Sequence, residues 1–243
     1  MPNRHAGLRG KLPAKPPVMG FLKDYADLGS LRHPATFDRA SDVADYPMAL
    51  NDQIGDCTIA GVVHMLQLMY AEIGEVFAYP GDTAVRNTYF DMTGGADSGL
   101  VITDVLSTWM HDGLFGTKIA AYAPVDIATK GDMKAACWLF GALYLGVEMP
   151  ANAETEFEEH RPWSPSSPPG QPVGGHCIVG TGASRLGQDI ITWGATTSMT
   201  WSWWKDYGSE AYVVIPEVWV EADHGPVPNI DIAKLREDLN RIQ

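Results

Sequence analysis

Cys57 is the residue whose neighbours best equip it for nucleophilic chemistry. It lies in Asn51–Tyr70, NDQIGDCTIAGVVHMLQLMY, where a polar loop gives way to Gly-Asp-Cys and then to a mostly apolar, helix-forming run. Asp56 is a good N-cap, because its carboxylate can accept from the free N–H groups of a first turn. Cys57 then takes the first helical position, where unpaired N–H groups and the helix dipole favour thiolate over thiol. The plain alternative is a small apolar side chain opening a core helix. Thiol chemistry also needs a base, and neutral imidazole is the usual one. Of the seven histidines, His5 lies in a basic N-terminal arm, His33, His160 and His224 in polar loops, and His111 near a helix end. His64 shares the helical face of Cys57 but is two turns, ~10 Å, away, and reads as a core histidine. His176 stands apart: in GGHCIVGTG it follows Gly174 and Gly175 at the expected start of a strand, where missing side chains let another element approach closely.

The elements that must hold these two residues can be traced along the chain. Residues 1–20 are rich in Pro, Gly and basic side chains and have no period, which predicts an extended arm. The spacing predicts a helix from Asp56 to about Ile73, apolar nearly all round and therefore buried on most sides. Helices are expected over Thr83–Met92 and Gly99–Asp112, a strand over Lys118–Pro124, a helix over Lys130–Gly141 and a buried strand over Ala142–Glu148. Arg161–Gly175, with five prolines, three glycines and three serines, predicts a loop. Strands should follow at His176–Gly182, Asp189–Trp193 and Ala211–Ile215, with an aromatic segment, TWSWWKDYG, between the last two. Ile230–Ile242 places apolar residues on one helical face. The plan is α+β, a helical first half and a strand-rich second half joined near residue 145. The expected organisation is an arm over 1–20 and one domain over 21–243. Within that domain the helical lobe spans about 45–145, the β lobe about 145–220, and a C-terminal helix about 228–242.

Composition narrows the function classes. The chain has 243 residues, 45% hydrophobic and 19% charged, in the range of globular proteins. Net charge is -13, and because the first 23 residues hold five basic side chains and no acid, the rest carries -18. An acidic body repels nucleic acid, so none is expected on the main domain. The basic arm suits an acidic surface of this chain or of a protein partner. No apolar run is long enough to span a bilayer, and the N-terminus lacks the apolar core of a secretory signal. With only three cysteines, Cys57, Cys137 and Cys177, at no framework spacing, the expected compartment is reducing and cytoplasmic, or a virion.

A helix-opening cysteine followed about 120 residues later by a strand histidine is the order found in papain-like sites. NDQIGDCTIA resembles the papain-type loop and helix around the nucleophile. The stretch VGGHCIVGTGASRLGQDIITWGATTSMTWSWWKDYGSEAYVVI resembles the strand histidine, hairpin, Trp-Gly turn and closing Gly-x-x-x-Tyr strand of that family. DSGLVITDVLSTWMHDGLFG and KGDMKAACWLFGALYLGVEM are similar to the helix and the helix–strand unit joining those halves. The resemblance covers roughly residues 45–220 and is nearest to bacterial and phage-encoded papain-like proteins with an NDxxGDC loop. It implies a helical half carrying the Cys helix, packed against a twisted antiparallel sheet or half-barrel. It makes Cys57 the nucleophile and His176 the base. The family's oxyanion glutamine falls six residues before the cysteine, here Asn51; Gln53 has the family's residue type but sits four before. The family's histidine-orienting asparagine has no counterpart: aligned on Trp193-Gly194 the position is Ile191, and counted from His176 it falls at Thr192, a weaker acceptor.

Two functions follow from this resemblance. One is a thiol hydrolase acting on a peptide or other amide substrate, with Asn51 and the Cys57 N–H holding the oxyanion. The other is a papain-type fold with a weak or inactive site, kept as a structural or binding protein such as a phage particle component. No cofactor is implied. A zinc site from Cys57, His64, His176 and Cys177 lacks ligand spacing, and residues 176 and 177 would face opposite sides of a strand. MTGGADSG and GTGASRLG do not follow the phosphate-loop pattern. Trp201, Trp203 and Trp204 read as core and cleft wall rather than a carbohydrate surface.

Overall fold

The computed structural model describes residues 6–15, 19–30, 32–221 and 230–241. His5, His224, residues 1–5 and 16–18 of the expected arm, and residues 228, 229 and 242 of the expected C-terminal helix lie outside the described residues. In chain order the elements are β1 (Phe37–Asp38), α1 (Cys57–Glu72), α2 (Asp82–Thr93), α3 (Ile102–His111), β2 (Ile119–Pro124), α4 (Lys130–Phe140), β3 (Leu143–Pro150) and α5 (Ala151–Glu158). They continue with β4 (Pro172–Ala183), β5 (Gly187–Thr192), β6 (Ala195–Thr200), α6 (Trp201–Tyr207), β7 (Gly208–Pro216), α7 (Glu217–Glu221) and α8 (Ile232–Arg241).

The strands form one antiparallel sheet in the order β2-β7-β3-β4-β5-β6, with β1 paired to β4 off that path. A mainly helical first half thus packs against an antiparallel sheet drawn mostly from the second half. β2, from the first half, supplies one edge of that sheet. Because α1 is apolar on almost every face, it lies inside the molecule: Ile59, Val62, Val63, Met65 and Leu66 are fully buried. Each such side chain contributes roughly 1.5–3 kcal/mol on burial. α1 crosses β4 and β3 closely because Gly61 has no side chain. A Cβ there would stand 2.7 Å from the Tyr144 ring and 3.3 Å from Cys177 Sγ. The Tyr144 hydroxyl donates to the carbonyl of Thr58 in the first turn of α1, which ties the helix mouth to the sheet.

Several local expectations are corrected. β4 begins at Pro172, inside the segment whose prolines and glycines predicted a loop, so His176 sits within a strand and not at its start. The reason is lateral: Val147, Glu148 and Met149 of β3 pair with His176, Gly175 and Gly174, whereas β5 pairs only from Val179 onward. The open side tolerates residues that would disrupt a central strand. α5 was not evident because its sequence, ANAETEFE, is polar; it holds on through buried Ala153 and Phe157, spaced i, i+4. The aromatic segment is a helix, α6, capped by the Thr200 hydroxyl. Trp203 and Trp204 are buried, and Trp203 stacks at a tilt on Trp163 with 4.8 Å between centroids. No described helix is long and apolar enough to cross a membrane.

Candidate active site

Cys57 opens α1 as the sequence predicts, but its surroundings differ from expectation in two respects. The Asp56 side chain makes no capping hydrogen bond. Instead its carboxyl is fully buried, and burial pushes its pKa up to about 8 against the opposing pull of the Asn51 amide. It is therefore mostly a neutral acid at pH 7, which removes the carboxylate that would oppose a neighbouring thiolate. The second difference is the cover over the sulfur. Cys57 Sγ accepts from two backbone N–H groups, that of Cys177 at 3.4 Å and that of Gly10 at 3.3 Å. The first belongs to the sheet and the second to the N-terminal arm. With Cys57 1% exposed, burial pushes the thiol up to about 11 despite those two donors. In this closed arrangement the helix N-terminus does not yield a thiolate.

His176 lies one residue before the Cys177 N–H that touches the sulfur. Its Nε2 is 2.8 Å from Thr192 Oγ1, and its Nδ1 is buried with no hydrogen bond. The structure therefore gives the imidazole a polar partner on the strand β5 residue counted from His176, while Ile191 is buried in the core. The ring stacks on Trp193, with centroids 4.7 Å apart and planes at 29°. Trp193 and Gly194 form the β5–β6 turn with φ of 46° and 65°. A bulky residue at positive φ is held there only by its surroundings: Trp193 also packs edge-on against Phe157 at 4.9 Å. Burial, and secondarily the Arg9 charge, depress the His176 pKa to about 3, so thiol and imidazole are both neutral. His64 is elsewhere: Nε2 meets the carbonyl of Pro47 at 2.8 Å, the ring is edge-on to Tyr46, and burial lowers its pKa to about 4.

Asn51 is buried beside this pair. Its Nδ2 donates to the carbonyl of Leu8 at 3.1 Å and to that of Ile54 at 3.4 Å. Gln53 is exposed, and the loop turns its backbone into a hydrogen bond with Leu50. The structure thus sets His176 on Thr192 and one residue before the Cys177 that touches the Cys57 sulfur, ties Asn51 to the arm segment that also reaches that sulfur, and leaves Gln53 exposed.

The arm is the feature sequence periodicity could not reveal. Residues 8–12 cross the cleft as an extended segment joined to both halves. Leu8 N–H donates to the Asn51 carbonyl, and Leu100 N–H to the Gly10 carbonyl at 2.8 Å. Leu12 N–H donates to the Leu100 carbonyl at 2.9 Å and Lys11 N–H to the Gly175 carbonyl at 3.2 Å. Outside the cleft Arg9 pairs with Glu154; inside it the Lys11 side chain is entirely buried against Glu148 and Glu210. The fit depends on missing side chains. A Cβ on Gly10 would fall 1.5 Å from the Gly55 carbonyl oxygen, and one on Gly175 would fall 2.3 Å from that of Lys11. The basic character of the arm was the one available signal, since the body it docks on is acidic.

Comparison with solved structures accounts for this architecture. A cysteine protease from Xylella fastidiosa, xylellain, superposes with a TM-score of 0.68 at 13% identity, over 88% of this chain and 98% of that one. The fold is papain-like. ProCathepsin B S9 from Trypanosoma congolense gives a TM-score of 0.62 at 11% identity, over 86% of each chain. The ragweed pollen allergen Amb a 11, a cysteine protease solved in its proform, gives 0.59 at 12% identity, over 78% of this chain and 69% of that one. No family model and no curated sequence matches the chain. The papain-like likeness is therefore one of three-dimensional arrangement, carried by few identical residues.

Proposed function

We propose that this protein is a thiol hydrolase of peptide or other amide bonds, held closed by its own N-terminal arm. The observation that carries the reading is what surrounds the Cys57 sulfur at the mouth of α1. Cys57 Sγ lies on the Cys177 N–H while His176, next in the chain, keeps Nδ1 unbonded and rests Nε2 against Thr192. In the tautomer protonated at Nε2, the ring donates to Thr192 Oγ1 and Nδ1 is free to act as base. With a substrate in the cleft, Nδ1 takes the proton from Cys57 Sγ and the sulfur attacks the carbonyl carbon. Asn51 Nδ2, which now donates to the Leu8 carbonyl, donates to the oxyanion, and the α1 N-terminus adds its dipole. The C–N bond then breaks as the imidazolium returns the proton to the departing nitrogen, leaving a thioester that water hydrolyses.

The arm occupies the cleft without offering itself for this chemistry. It presents to the sulfur the amide N–H of Gly10, a donor, in place of a carbonyl carbon. The structural neighbours include cysteine proteases in precursor form, and a covering segment is compatible with that state. A second reading, a binding protein with an inert site, is favoured by the neutral pair and by a hydroxyl where an amide would orient the imidazole more firmly. The experiment that separates them uses full-length Gly10→Val, whose arm cannot seat against Gly55, with a fluorescently quenched peptide library. Turnover that disappears in Gly10→Val/Cys57→Ala supports the hydrolase. Absence of turnover, with the arm shown to be displaced by its susceptibility to added trypsin, supports the inert binding protein.

A further inference from the structure

Lys11 is an anomaly in the arm. Arg9 remains partly exposed on Glu154 and Lys15 pairs on the surface with Asp104, as basic side chains generally do. Lys11 instead sends its whole side chain, 0% exposed, into the sheet side of the cleft. Its Nζ donates to Glu148 Oε1 at 3.0 Å and to Ser209 Oγ at 3.0 Å, and it stands 3.4 Å from Glu210 Oε1 as an ion-pair contact. An ammonium has three donors; two are taken by Glu148 and Ser209, and the buried Glu210 carboxylate balances the charge from the side.

The pocket is part of the body and not of the arm. Its acids stand on β3 and β7, and its depth comes from Gly146 on β3. A Cβ at Gly146 would fall 2.6 Å from Glu210 Cγ and 3.0 Å from Lys11 Cε, closing the space the lysine stem occupies. Glu210 is 6% exposed, and its other oxygen accepts from the Tyr212 hydroxyl at 3.2 Å. Burial raises its pKa while Lys11 works against that rise. When the arm leaves, a buried acid loses its cation, and leaving one partner of such a pair unpaired is costly. The empty pocket therefore favours another cation in the same place. The entrance lies beside the reacting centre: Lys11 N–H bonds Gly175, which precedes His176, and Gly10 N–H lies on the sulfur.

We infer that the Glu148–Ser209–Glu210 pocket, shaped by Gly146, is a recognition site for a basic side chain of the peptide in the cleft, with lysine preferred over arginine. Lys11 is the tethered occupant that fills it in the closed chain. As a substrate subsite it rests on the thiol-hydrolase reading; as a peptide-binding pocket it does not. Lysine is preferred because two acceptors and a flanking carboxylate converge on one point at the end of the pocket, which suits a compact ammonium, whereas a planar guanidinium is wider and wants paired, coplanar acceptors.

The test uses full-length Gly10→Val/Lys11→Ala, in which the arm neither seats nor fills the pocket, and labelled peptides AGLRGKLPAK that carry Lys, Arg, norleucine or Glu at the sixth position. Fluorescence anisotropy should give the Lys peptide at least ~10-fold tighter binding than the norleucine peptide, with Arg between them and Glu weakest. Glu210→Gln in the same background should reduce the Lys-over-norleucine ratio to within a factor of about two. A quenched-peptide library read in parallel should show Lys enriched at one position next to the cut. Lysine-selective binding without any cutting upholds the pocket and removes the hydrolase reading. Cutting without basic preference keeps the hydrolase and overturns the pocket. Equal affinity for Lys and norleucine, or no binding of the Lys peptide, overturns it as well.

Discussion

Cys57 and Cys137 are both buried thiols whose pKa burial pushes above the ordinary value, but they are buried by different things. Cys137 lies on α4 against β4, with Sγ 3.8 Å from the Gly180 carbonyl, so it is enclosed by the core and opens only when the fold opens. Cys57 stands at a helix mouth, and one of the two groups on its sulfur is the N–H of Gly10, in the extended arm. Burial by the core is permanent, whereas burial by a segment held through backbone hydrogen bonds and glycine clearances is conditional. On the proposed reading, the cover that raises the Cys57 pKa can be withdrawn without unfolding the sheet.

The largest effect should come from withdrawing it. In Gly10→Val, alkylation of Cys57 by iodoacetamide at pH 7.5 should accelerate on the order of 10²-fold or more over the wild-type chain, following the thiolate population. Cys137 and Cys177 should stay at their slow wild-type rates, read by peptide mass mapping. Equal acceleration at all three would mean general loosening and would erase the distinction between the two kinds of burial. Adding His176→Ala to the opened chain should then cost on the order of 10²-fold in peptide turnover and slow the alkylation of Cys57 alone. Thr192→Val should be milder, roughly 10-fold in turnover, because it frees the ring to rotate and to change tautomer without removing the base.

Asp56 tests the comparison through pH. Its carboxyl has a pKa near 8 in the folded chain against 3.8 for an ordinary Asp. The unfolded chain therefore releases this proton first as pH rises. The stability attached to Asp56 is full below about pH 4, falls across the interval and levels off above about 8. Asp56→Asn should flatten that decline, so its advantage over the wild type in chemical denaturation grows from pH 5 to pH 8.5, by on the order of a few kcal/mol. An advantage that does not change with pH would show that Asp56 is not a buried neutral acid. The smallest effect is expected at Lys11: Lys11→Arg should loosen the arm only a few-fold, measured as Cys57 alkylation, and Lys11→Ala should loosen it more.

How much of this was legible depends on what holds each part. α1 was evident because a helix buried on nearly all sides must be apolar on nearly all sides, and the run from Cys57 to Met69 is. The positions of Cys57 and His176 in a helical and a strand-rich half were evident for the same reason. Thr192 could be reached only by counting from His176 along a hairpin, since its neighbour Ile191 aligns better on the Trp-Gly turn but points into the core. The start of β4 was hidden because Gly174 and Gly175 read as loop, yet they pair with β3 on one side and receive the arm on the other. The arm's path had no period to read: it is held by main-chain hydrogen bonds, and a main-chain bond leaves no mark on side-chain pattern. Glu148 and Glu210 lie far apart in sequence and meet only across the β3–β7 pairing, so no local motif announces their pocket.

The most direct test is the pH profile of Cys57 alkylation in the wild-type chain, in Gly10→Val and in Gly10→Val/His176→Ala. An activated pair beneath a removable cover predicts that the wild-type rate climbs toward an inflection near pH 11, the value burial imposes on Cys57. Opening the arm should move that inflection below the ~8.5 of a free cysteine, and removing His176 should raise it again. If the inflection in Gly10→Val stays near that of the wild type while the arm is demonstrably displaced, Cys57 and His176 do not form a working pair.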